Sequence, residues 1–161
     1  MTEVDYIVKP IEINYSGIVN IKELYELIRL WFNDKGFFTM EKESEGSEDE
    51  NGSNFATKFE ASKKVEEYTK YMIEIKIKAK SLKETSEQNA YQGEYNVSFE
   101  SYLEKDYEDR NENKPILKIL KGLYEKLVER NRLSKYESEL MELTNAVYNE
   151  VKAFLNLAKF N

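Results

Sequence analysis

The chain has 161 residues, 31 acidic and 24 basic, with no histidine and no cysteine, and a net charge of -7. Without those two side chains, His- or Cys-dependent catalysis, thiol redox chemistry and the transition-metal sites built on them are excluded, and no cofactor is expected. The acidic balance argues against a general nucleic-acid binder. No run approaches the ~20 apolar residues of a membrane span and no basic-then-apolar leader opens the chain, so a cytoplasmic protein is expected.

Taken in order, Ile11, Ile13 and Tyr15 alternate with Glu12 and Asn14, which predicts a half-buried strand ending at Ser16-Gly17. Asn20 with Glu23 three residues on reads as a helix N-cap, and Val19 and Leu24 occupy the positions of a hydrophobic staple. Ile21, Leu24, Leu27, Ile28, Trp31 and Phe32 then recur at helical spacing over roughly 21–35, and Gly36 supplies the stop. From Phe37 to Lys42 the period is two again.

Segment 41–50 holds six acids and one lysine, and its Glu, Ser, Gly and Asn content predicts a flexible loop over 43–54. An EF-hand register there fails, because Lys58 falls where a bidentate Glu is needed and both flanks read as strands. Three amphipathic strands follow. Phe55, Thr57, Phe59 and Ala61 lead to Tyr71, Ile73, Ile75, Ile77 and Ala79, and then to Tyr91, Tyr95, Val97, Phe99 and Leu103. Lys76, Lys78 and Lys80 lie on the opposite phase, within reach of Glu60, Glu94 and Glu100, so cross-strand charge pairing is expected there.

Pro115 opens a helix marked by Ile116, Ile119, Leu120, Leu123, Tyr124, Leu127 and Val128. Ser134 with Glu137 reads as a capping box starting a second, through Leu140, Leu143, Val147, Val151 and Leu155. The two would form a C-terminal hairpin over 115–160. Because nothing breaks the chain firmly between Arg130 and Leu133, one bent helix is the alternative.

The predicted order is β-α-β-β-β-β-α-α. It implies a single α+β domain over 1–161, with an antiparallel sheet of about five strands and its helices packed on one face. This order loosely resembles helix-grip, START-like domains, in which a curved antiparallel sheet wraps one long C-terminal helix over an apolar cavity. Such domains have more strands, and the resemblance transfers no residue.

Three functional readings follow. The first is a non-enzymatic interaction domain that meets a protein partner or a second copy through the helical hairpin or a charged surface. A second is a carrier of a small apolar ligand between sheet and helices, lined by Trp31, Tyr71, Tyr95 and Phe99. The third is a peripheral membrane protein using the basic amphipathic helix 115–128, with Lys118, Lys121, Lys126, Arg130 and Arg132 as the residues facing an anionic surface or partner. Abundant Lys, Glu, Ile, Tyr and Asn with two prolines points to an A/T-rich prokaryotic genome.

Overall fold

The computed structural model describes residues 2–106 and 115–158, and the side chains of 4–105 and 135–158. Local signals place the first helix where the sequence predicts it. The Asn20 side chain accepts the Glu23 N–H at 3.1 Å, Val19 and Leu24 are buried, and Gly36 takes φ +82° just beyond the last turn. The elements are β1 (Thr2–Asn20), α1 (Ile21–Asp34), β2 (Phe38–Asp49), β3 (Gly52–Glu66), β4 (Thr69–Glu84), β5 (Ala90–Asp106) and α2 (Pro115–Ala158).

All five strands form one antiparallel sheet in the order β1-β5-β4-β3-β2, so α1 carries the chain from one edge of the sheet to the other. The expected α+β fold, with helices on one face, is the one observed. Alternation sorts the strands into an inner face of Phe59, Ala61, Ile73, Ile75, Ile77, Val97, Phe99 and Leu103, all buried in a single core with Leu24, Ile28, Phe32, Leu140, Val147, Val151 and Leu155. Tyr25 of α1 stands edge-on to Phe59, and Tyr148 of α2 edge-on to Phe99. Both helices therefore cover the same face, and among the described residues the other carries none. The first and last strands are adjacent, and one long terminal helix lies on the sheet.

Two expectations are corrected. The C-terminal hairpin is a single 44-residue helix: no Gly or Pro interrupts 123–158, and the Ser134/Glu137 spacing falls within a helix rather than starting one. The acidic loop of 43–54 is a hairpin of β2 and β3, with Glu45 to Asp49 paired to Ala56 to Gly52. Charge is tolerated there because β2 is an edge strand, where acidic side chains also discourage pairing with another chain. Its tip is held by Asp49, whose carboxylate accepts the Asn51 N–H at 2.8 Å and the Asn54 amide at 2.9 Å, which lowers its pKa. Gly52 is required beside it: at φ +130° its backbone passes so close to β4 that a Cβ would lie 2.5 Å from the Leu82 carbonyl oxygen. No helix among the described residues is long and apolar enough to cross a membrane.

Candidate functional site

The residues expected to line a sheet-helix cavity do not converge. Trp31 is half-buried, edge-on to Phe32 and beneath the Lys35 ammonium. Tyr71 is fully buried and donates its hydroxyl to Glu139 of α2 at 2.7 Å, and burial followed by that carboxylate raises its pKa. Tyr95 donates to the Tyr91 carbonyl at 2.6 Å, and Phe99 packs against Tyr148. Each fills a different part of the core with its own neighbours. The side chains of Lys118, Lys121, Lys126, Arg130 and Arg132 lie outside the described residues, although their backbone belongs to α2.

The helix-free face carries an arrangement that strand alternation alone does not reveal. Register aligns its side chains into rungs that cross the strands. One rung is aromatic and apolar except at β3: Phe38 of β2, Ser62 of β3, Met72 of β4, Tyr102 of β5 and Tyr6 of β1. Its centre is covered, with Met72 4% exposed, while its ends stand in solvent, Phe38 at 67% and Tyr6 at 63%. Tyr6 and Tyr102 are in ring contact at 5.4 Å. Aromatics are thus present among the lysines of this face as well as on the covered one.

The next rung is acidic: Glu60, Glu74 and Glu100 face one another across β3, β4 and β5, with the exposed Met40 at its β2 end. Beyond it lies a basic rung of Lys42, Lys58 and Lys76. Like charges directly opposite repel, so compensation runs diagonally between rungs. Lys42 meets Glu60 at 3.1 Å and Lys58 meets Glu74 at 3.4 Å. The ion pairs on this face are made by Lys42 and Lys58 rather than by the expected Lys76, Lys78 and Lys80, whose side chains are exposed, and Lys76 acts on Glu100 through attraction alone.

Glu74 is the most enclosed member, 8% exposed beneath its neighbours, and accepts the Tyr102 hydroxyl at 3.2 Å. That proximity, after burial, raises the Tyr102 pKa. Glu100 is raised as well, first by desolvation, then by its hydrogen bond to and repulsion from Glu74, against the pull of Lys76 and Lys58. For Lys58 burial is the largest single influence and disfavours its charge, but attraction to Glu74, Glu43 and Glu60 outweighs it and raises the pKa overall.

On the other side of the aromatic rung stand Lys64, Lys70 and Glu104, with Val4 at the β1 end. Lys64 and Lys70 are exposed. Near the far end of the sheet, an open polar depression of about 400 Å³ is lined by residues such as Ser16, Ser81, Lys83 and Glu94. It lacks the apolar enclosure of a small-molecule pocket.

No protein-family model and no curated protein matches the chain.

Proposed function

We propose that this chain is a non-enzymatic interaction domain that binds through the helix-free face of its sheet. The observation that carries the reading is the rung across the five strands that sets Phe38, Met72, Tyr102 and Tyr6 in one row, with Phe38 and Tyr6 standing in solvent at its ends and charged rungs on both sides. Apolar surface rimmed by polar side chains on a face with no helix is the composition of a contact surface.

The sheet edges support the same assignment by elimination. At one edge β1 is broken by register shifts around Val8 and carries Pro10; at the other β2 carries the acidic run and its own shift after Lys42. Both are guarded against strand addition, which leaves the face. Carboxylates are the main chemistry on that face, yet Glu74 and Glu100 sit on an open sheet surface rather than in a cleft that holds a substrate and excludes water, so binding is favoured over catalysis. A cytoplasmic, prokaryotic setting accompanies this reading.

The test is photocrosslinking in cells, with a photoreactive phenylalanine analogue at Phe38 or Met40 and, as controls, at the equally exposed Leu30 of α1 or Leu157 of α2. Adducts from positions 38 and 40 and not from 30 and 157 are the expected result. Adducts from the helix positions alone would overturn the reading.

A further inference from the structure

We infer that the partner of this face is a second copy of the chain, stacked sheet to sheet about a two-fold axis that runs along the aromatic rung. This rests on the proposal that the helix-free face is the binding surface, and goes beyond it by naming the occupant.

An isologous interface must be complementary to itself under a two-fold rotation. For two faces in contact, an axis lying along the rung keeps each strand over its own counterpart and exchanges the two sides of the rung. On β3, Ser62 lies on the axis, with Lys64 two residues to one side and Glu60 two residues to the other. On β4, Met72 lies on the axis, flanked in the same way by Lys70 and Glu74. The rotation therefore lays the basic flank of each copy on the acidic flank of the other. On β5 the flanking residues are Glu104 and Glu100, both acidic, so the arrangement carries four attractive charge juxtapositions against two repulsive ones. An axis along β4 would instead lay Glu60 on Glu100, Glu74 on Glu74 and Lys70 on Lys70, with Lys64 on Glu104 as the one attractive contact type, and is rejected by the same pattern.

Area is sufficient. Five strands about 4.8 Å apart and about 15 residues long at ~3.3 Å each give a face of about 1,200 Å², against ~800 Å² per partner in a standard interface. Phe38 and Tyr6, at the rung's ends, would leave solvent on association, and two antiparallel sheets packed face to face at about -30° are a common architecture. An anionic membrane fits less well, because Glu60, Glu74, Glu100 and Glu104 stand among the lysines of this face.

Sedimentation velocity on the full chain tests this at about 100 µM, well above the micromolar Kd at the weak end for interfaces of this size. The wild type is expected to sediment as a dimer, and Tyr6→Ser with Phe38→Ser to weaken association at least about ten-fold while far-UV circular dichroism stays unchanged. Lys64→Glu and Glu60→Lys, each alone, are expected to weaken self-association by a similar factor. Mixed one to one, they are expected to form a heterodimer, because each altered charge then meets its opposite.

A monomer at every concentration overturns self-association, and leaves the face reading to stand or fall by the crosslinking result. A dimer unaffected by Tyr6→Ser with Phe38→Ser overturns the placement on this face. Loss of the dimer in both charge variants without recovery on mixing overturns the two-fold arrangement.

Discussion

Replacing Thr144 by Val gives a sharp test of how α2 is seated. Thr144 and Ser101 are both fully buried where the helix crosses β5, with their hydroxyl oxygens 2.8 Å apart and the Thr144 oxygen 2.7 Å from the Leu140 carbonyl. Each hydroxyl has one proton, so both are satisfied when Thr144 donates to Leu140 and Ser101 donates to Thr144. Valine keeps the shape but leaves the Ser101 proton without an acceptor, while the Leu140 carbonyl keeps its bond from the helix backbone. A stranded buried hydroxyl costs ~1–3 kcal/mol and the added methyl returns ~0.8 kcal/mol, for a net loss of up to about 2 kcal/mol. For a domain of this size that lowers Tm by up to roughly 8 °C. Ser101→Ala alone should cost less, about 0.5–1.5 kcal/mol, since Thr144 keeps its carbonyl partner. The double variant removes both polar groups and should lie within about 1 kcal/mol of wild type, giving a coupling energy of about 1–2 kcal/mol. Urea unfolding followed by circular dichroism measures all four corners of the cycle. Strict additivity across the cycle would refute the seating described here.

Further outcomes concern the charged rungs and the exposed ends of the aromatic one. Glu100 has a raised folded-state pKa, so its contribution is most favourable in acid and is lost as pH rises through that value; Glu100→Gln should therefore stabilise at pH 7 by about 0.5 kcal/mol, the scale of one opposed cross-strand pair, and the gain should vanish in acid. Thermal melts at both ends of that pH range decide it, and a loss of stability at pH 7 would contradict the sign. Lys58→Ala leaves Glu74 enclosed beside Glu60 and Glu100 and should cost about 1–3 kcal/mol, whereas Lys78→Ala, on an exposed side chain, should stay within about 0.5 kcal/mol. Equal effects in chemical denaturation would remove the distinction between the two lysines. Tyr6→Ser with Phe38→Ser should shift the unfolding free energy of dilute protein by less than about 1 kcal/mol, because both rings are largely in solvent, while weakening association.

How much could be read from the residues depended on whether the controlling interaction was local. Helix α1 was legible to its ends, since Val19, Asn20, Glu23 and Leu24 act within about a turn of one another at its start and Gly36 acts just beyond its last turn. The inner face of the sheet was legible because Ile73, Ile75 and Ile77 show their period without knowledge of a partner strand. Composition misled at 43–54, where Glu and Ser residues suit a loop and an edge strand equally, and pairing with Ala56 to Gly52 decides between them. The Ser134/Glu137 spacing misled because the same residues are acceptable inside a helix. The candidate face was least accessible. Phe38, Met72, Tyr102 and Tyr6 are far apart in the chain and become a stripe only when four strand registers are set, including two register shifts in β1. One trace of it was present: Met72 and Tyr102 lie out of phase with the apolar sides of their own strands.

The most direct measurement is the ¹³C-methyl methionine NMR spectrum as the protein is concentrated from about 10 to 500 µM, across the dissociation range of a weak to moderate dimer. Met40 and Met72 lie on the helix-free face, and Met141, 46% exposed on α2, is an internal control. The account predicts that the Met40 and Met72 resonances move with concentration while Met141 stays fixed. Movement of Met141 alone, or three stationary resonances, would contradict it.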